Sequence, residues 1–342
     1  MKRLLCMLLI LAMLPVAAMA EERVFVDSTG REVTLPAEIT RVAVTGQSAL
    51  LAVFAIAPDT LAGIPSAWDA AAVPFIDAQY ADLPLLGQLY GGKGNMNLET
   101  LLAAAPQVVI DVGEPKGSIV QDMDDLTAQT GIPFVHITMH LDDIGAGFRK
   151  LGELLGREEA GEALADYADG VYARTAAIGE SVEKVRLLFV VGEEGMGVIA
   201  KNSYHSEVID MLSDNLAVVD APSSKGTGNA VDMEQLLLWN PDAIIFSNGS
   251  YFAGAGDDPL WQSLTAIAAC RYWEVPVGPY DWMGFPPGVQ RLLGMTWMAK
   301  LLYPDAAAYD LYEETAKYFD LFYHHDLTQA QFDALVRNSI GR

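Results

Sequence analysis

The chain has 342 residues, 51% of them hydrophobic, with 21 basic residues against 45 acidic ones and a formal net charge of −24. That is apolar material for more than one packed core, and such acidity excludes a nucleic-acid partner, which would need a basic face. The two cysteines, Cys6 and Cys270, exclude a disulfide-framed scaffold.

Residues 1–20, MKRLLCMLLILAMLPVAAMA, set Lys2 and Arg3 before an apolar run that ends on Ala18-Met19-Ala20, the pattern of an export signal cleaved after Ala20. Pro15 interrupts the run and no stop-transfer flank follows, so a membrane anchor is disfavoured, and no other stretch is long and apolar enough to span a bilayer. Cys6 follows Leu5 at the beginning of the apolar run, not a small residue at its end, so lipidation is not expected. A soluble periplasmic chain is implied. Cleavage removes two basic residues and leaves a net charge of about −26. The one remaining cysteine, Cys270, reads as a small buried thiol.

Alternation about Ser28-Thr29-Gly30 predicts a hairpin at the mature start. Val42 to Val44 reads as a buried strand, Ser48 to Ala57 as a helix stopped by Pro58, and Leu61 to Ile64 as a further strand. Ligands of such β-α-β units sit beyond the carboxyl ends of the strands, here at Gly46, Gln47 and Ser48, although Ser48 fits equally well as an N-cap. NMNLETLLAAAPQVVIDVG predicts a helix capped by Asn97 and ending before Pro106, a buried strand to Asp111, and a second rim loop at Gly113-Glu114-Pro115-Lys116. A helix over 119–130 and a strand over 132–138 complete a first lobe, residues 21–156. His136, among apolar strand neighbours, reads as a hydrogen-bonded core residue.

In 157–181, Ala160, Leu164, Tyr167 and Val171 recur at three- and four-residue steps, predicting one long helix of about 30 Å. We read it as a strut and the only covalent crossing between lobes, which implies closure by a few degrees. Residues 182–342 form the second lobe: a strand over 187–191, a glycine-rich turn and second strand, a helix over 203–212, an aromatic loop VGPYDWMGFPP, and helices from about Gly288 to Leu335. The fold class is α/β, two Rossmann-like lobes joined by one backbone helix with a ligand cleft between them.

The two lobes repeat. NLETLLAAAPQVVI from Asn97 aligns without a gap on DMEQLLLWNPDAII from Asp232, matching Glu99 with Glu234, Leu101 with Leu236, Pro106 with Pro241 and Ile110 with Ile245. Each glutamate sits two residues after an Asn or Asp cap, which a favourable charge at a helix start explains by itself. The same acid once per lobe also suits two docking points for one partner.

The order of export signal, D-x-x-G-R-x-V-x-L-P at Asp27 to Pro36, the two repeats flanking a mid-chain helix, and DPLWQSLTAIAACRYWEVP resembles the substrate-binding proteins of ABC importers for iron complexes, haem and cobalamin. The likeness covers nearly all of the mature chain. It implies a monomer that binds a small-molecule metal chelate, of iron-siderophore, haem or corrinoid type, and delivers it to a permease dimer with its ATPase subunits. In that family one glutamate on each lobe docks to permease arginines, and Glu99 and Glu234 occupy the matching positions. Some relatives that bind metal chelates or oxyanions carry a basic residue just before the paired prolines, where this chain has Phe285, a departure that weakens the alternative of a molybdate- or tungstate-type oxyanion.

A chelate needs flat apolar surfaces and a few polar anchors. The rim loops offer Gln47, Trp68, Tyr90, Lys93 and Lys116 from the first lobe and Lys201, Tyr204, His205, Tyr251, Tyr280 and Trp282 from the second, with Tyr280 and Trp282 the leading candidates. His136, His140, His205, His324 and His325 show no metal-ligand spacing, and His324-His325 is expected to face solvent, so neither a bare metal ion nor a cofactor is expected. An exported enzyme is disfavoured by the absence of G-x-S-x-G, H-E-x-x-H and Walker motifs, and a non-transport receptor of the same fold remains the other alternative.

Overall fold

Two apolar strand sets, one on each side of the long helix, set the architecture of the computed structural model, which describes residues 21–89 and 94–340. The export signal read at 1–20 and the candidate contacts Tyr90 and Lys93 lie outside the described residues. The hairpin forms as expected, with β1 (Glu22–Val26) antiparallel to β2 (Glu32–Pro36). Asp27 closes its turn, accepting from the Thr29 amide and from the Arg31 guanidinium.

The first sheet is parallel, in the order β3 (Val42–Val44), β4 (Val108–Gly113), β5 (Phe134–Thr138). Its strands read as continuous apolar runs because both faces are covered. Three helices of this half matter to the site: α1 (Gln47–Ile56), α2 (Leu98–Ala104) and α3 (Ile119–Thr130). A fourth, α4 (Ile144–Leu155), leads into α5 (Glu158–Ser181), the 24-residue helix that the apolar spacing predicts. The second sheet is built on β6 (Arg186–Val191). On one side β10 (Ala243–Phe246) and then β11 (Tyr272–Glu274) run parallel to it; on the other lie the short strands β7 (Gly197–Val198), β8 (Asp214–Asn215) and β9 (Asn229–Ala230). Against it lie α6 (Glu207–Leu212), α7 (Met233–Trp239) and α8 (Arg291–Leu302).

The repeat is structural. Asn97 caps α2 by accepting from the Glu99 and Thr100 amides, and Asp232 caps α7 by accepting from Gln235. Both helices close on a left-handed non-glycine residue, Ala105 at φ 47° and Asn240 at φ 41°, and each leads through a proline into a parallel strand of its sheet, β4 and β10.

Helix α5 holds both halves by backbone-close packing. A Cβ at Gly161 would lie 2.8 Å from the Phe148 carbonyl oxygen and 3.1 Å from Gly152 Cα, so α4 and α5 touch through glycine. Near the other end, Gly179 meets the Met211 carbonyl at the end of α6 in the same way. The crossing by α5 is nevertheless not alone. After α8 the chain returns: α9 (Leu311–Tyr323) lays Phe319 edge-on to Phe75 at 5.0 Å and Phe322 edge-on to Phe148 at 5.6 Å, both first-half residues. His324 Nε2 reaches the Phe54 carbonyl oxygen at 3.2 Å, and His325 stands edge-on to Phe75. The apolar spacing of the last helices shows a buried face but not which lobe covers it, so assignment of all residues after 181 to the second lobe is corrected for this segment; His324 is exposed as expected, whereas His325 is half-buried against Phe75. One apolar cluster runs from Phe25 through Tyr167 to Phe189 and Ile245. Cys270 is exposed, not buried as expected, because it ends a short helical turn with φ 53°.

The crossover 276–290 carries a buried carboxylate. Asp281 is 8% exposed and accepts from the Met283 amide at 2.8 Å; burial pushes its carboxyl up from 3.8 to about 7, against backbone hydrogen bonds from Met283, Phe285 and Gly284 that pull it down. Folding favours the protonated form, so this contribution is fully present below pH 3.8 and lost as pH rises through about 7. Asp281→Asn should therefore gain stability on the native chain at pH 8, by at most on the order of 4 kcal/mol, and not at pH 4, as read by denaturant unfolding. An equal effect at both pH values would refute a buried titrating carboxylate. Gly161→Val should cost about 1–3 kcal/mol through overpacking at the α4–α5 contact; an unchanged unfolding midpoint would show that the two backbones are not in contact.

Candidate functional site

The carboxyl ends of β3 and β4 and the loops facing them enclose a cleft of about 760 Å³. On the first-lobe side, Thr45 leaves β3 and Gly46, in extended conformation, starts α1 without a side-chain cap. No described atom lies within 4 Å of where a Gly46 Cβ would stand, and Gly46 to Ala49, at the start of α1, line the cleft. The second rim segment, Gly113 to Lys116, lines the same cleft. Asp111 ties these two strand ends together. It accepts from the Thr45 hydroxyl, and its other oxygen lies 2.7 Å from His136 Nδ1. His136 is fully buried, as its place among apolar strand residues implies, and its Nε2 meets no partner among the described residues.

The opposite wall is Tyr204, His205, Ser224 and the paired prolines Pro286 and Pro287. His205 stacks on Phe285 at 4.8 Å with the rings 19° apart. Burial, aided by the Arg291 charge, lowers the His205 pKa from its usual value and so favours the neutral imidazole. Arg291 is 4% exposed; it pairs with Glu207 and lies 5.4 Å from the centre of the Tyr204 ring, placing a buried ion pair behind this wall. The walls also touch directly: Ser48 Oγ donates to the Pro287 carbonyl at 2.6 Å, and Gln47 Nε2 donates to the Tyr280 hydroxyl.

A second recess of about 810 Å³ opens on the far side of Tyr204, with Glu114, His140 and Asp142 facing Glu207 and Asp210. Burial raises the Glu207 carboxyl pKa, the charges of Glu114 and Asp142 add to the rise, and Arg291 opposes it. Among the described residues no three His, Cys, Asp or Glu side chains converge so as to hold a metal ion.

Of the residues singled out from sequence, the cleft gathers Gln47, Lys116, Tyr204 and His205. The others stand elsewhere. Trp68 is buried, donates from Nε1 to the Tyr80 carbonyl and meets Phe54 edge-on. Tyr280, 3% exposed, and Trp282, 0% exposed, are packing residues, the indole donating to the Gly278 carbonyl at 2.9 Å. Lys201 pairs with Asp214 at 3.2 Å, and Tyr251 donates to Asp258 and packs on Trp261. Sequence reasoning missed Ser224, Gln88 and above all Arg291, whose signal is a lone cation inside the apolar run GVQRLLGMTWM. Glu99 and Glu234 are exposed, and neither carboxylate joins an ion pair among the described residues.

Comparison with known proteins agrees with this architecture. A family model described as periplasmic binding protein matches residues 66–273. The chain is 24% identical over 344 residues to the molybdate-binding protein MolA of Haemophilus influenzae, covering 92% of this chain and 94% of that one. It is similar to an ABC transporter solute-binding protein from Sulfurospirillum deleyianum, with TM-score 0.83 and 24% identity over 92% of this chain and 99% of the other. A periplasmic solute-binding protein from Veillonella parvula gives TM-score 0.79 and 26% identity over 93% and 98%. With a family model matched over more than half its length, this chain belongs to the periplasmic binding protein family.

Proposed function

We propose that the chain is the solute-capturing component of an ABC importer, acting in the periplasm after loss of its export signal, and that its solute is an anionic metal chelate. One observation carries the choice of ligand. A cleft of about 760 Å³ is the size of an organic ligand, and it opens onto the uncapped start of α1, where peptide dipoles favour negative charge. Lys116 on the same wall supplies a cation at the cleft surface, where Asp111 and Glu114 also line it, while Arg291 behind the facing wall is paired with Glu207. The chelator supplies the metal's own ligands, so the protein has to recognise shape and charge. With Tyr280 and Trp282 packed away, contact area comes from Tyr204, His205 and the proline pair, and polar anchors from Gln47, Ser48 and Lys116. The work is binding and delivery, with no reaction catalysed. Exposed Glu99 and Glu234, one per lobe, serve as the docking points for the permease.

The likeness to MolA favours a second reading, a bare tetrahedral oxyanion at the start of α1. Such an ion would fill a small part of the cleft and would need more closure to be enclosed. Titration calorimetry against ferric catecholate and hydroxamate chelates, molybdate and tungstate separates the two. We expect binding by an anionic ferric chelate, weakened about 10-fold or more by Lys116→Glu. Tight binding of molybdate with no response to any chelate would replace this reading with the second, and an unchanged affinity in the Lys116 variant would remove the lysine from the site.

A further inference from the structure

The repeat carries a feature that the docking glutamates leave unused. Three residues after Glu99 stands Leu102, and three residues after Glu234 stands Leu237. In a helix, residues three apart share a face, so each leucine lies beside its glutamate on the outer surface. The intervening Leu101 and Leu236 are 0% and 1% exposed and anchor the helices to their sheets, whereas Leu102 is 48% and Leu237 39% exposed. Leu238, next on α7, is 78% exposed. An isolated exposed leucine is ordinary. An exposed leucine at the same offset from the same exposed acid, in both copies of a duplicated helix, is a repeated surface motif.

Both motifs lie next to the cleft walls. The Asn95 and Met96 amides donate to the carbonyl of Gln88, a cleft residue, immediately before α2. In the other lobe Asn229, three residues before the cap of α7, accepts from the amide of Ser223, the neighbour of cleft-lining Ser224. We propose that Leu102 and Leu237 are apolar docking contacts for the importer's membrane permease, one on each lobe, each filling a socket beside the permease cation that receives Glu99 or Glu234. This rests on the transport role proposed above.

The occupant follows from repetition and charge. A partner that meets both lobes at once must present the same basic and apolar socket twice, as a two-fold symmetric assembly does. A second copy of this chain is a poor fit, because its own net charge is −24 and its motif is acidic. The leucine supplies contact area that the carboxylate lacks. The two contributions separate by salt, since screening weakens the ion pair and leaves the apolar contact in place.

The test is association of the ligand-free chain with its own permease–ATPase complex in nanodiscs, measured across salt concentrations. Leu102→Ser and Leu237→Ser are expected to weaken association by about 5- to 20-fold each. The salt dependence should be unchanged, Leu→Met at either site should restore affinity, and melting temperature should stay at the native value. Glu99→Ala with Glu234→Ala should instead flatten the salt dependence. If the glutamate variant responds and both leucine variants bind as the native chain does, the leucine assignment falls alone. If neither set changes association, the docking reading falls with it. Self-association of the chain that the leucine variants abolish would also overturn the proposal, by giving the patches to a second copy.

Discussion

Everything that can happen between the two sheets depends on the contact that α5 makes with both of them at backbone distance. Glycines at 161 and 179 let this helix approach α4 on one side and the end of α6 on the other until main chain meets main chain. Such contacts resist sliding because no flexible side chain lies between the surfaces to repack. The return of α9 to Phe54, Phe75 and Phe148 closes the loop from the other side. With two crossings and one continuous apolar cluster, the lobes are held at a set distance, and the space between them persists as a cleft.

That constraint also sets the chemistry of the cleft. Parallel strands end together, so β3 and β4 deliver Gly46 to Ser48 and Gly113 to Lys116 to one rim, and Asp111 locks the two ends through Thr45 and His136. Opposite them, the crossover 276–290 brings its proline pair and the Phe285–His205 stack. The chain is strongly acidic overall, yet its cations near the cleft are placed individually: Lys116 at the surface and Arg291 behind Tyr204. Net charge describes the solvated exterior, while the field in a cleft is set by which few groups face it.

The parts of this arrangement that were legible in the sequence are those encoded by local pattern. The hairpin about Gly30, the strand ends at Gly46 and Gly113, the buried His136, the long helix and the paired repeats each depend on a few neighbouring residues. What the sequence hid was the partner of each apolar surface. Trp68, Tyr280 and Trp282 stand in loops rich in Gly and Pro, which look exposed, but their indole and phenol groups find partners inside. Helix α9 shows an apolar stripe that fits either lobe equally well until its rings meet Phe75 and Phe148. Arg291 was hidden for the converse reason: a cation in an apolar helix is tolerable only with a specific counter-ion, here Glu207, some 84 positions away in the chain.

The proposed function turns on whether the cleft holds an anionic metal chelate. Native mass spectrometry of the chain purified from its own periplasm tests it directly, by weighing what is bound and again after denaturation. The account predicts a one-to-one adduct, released on unfolding, whose mass and isotope pattern fit an anionic metal complex. A cationic or metal-free organic adduct would contradict it.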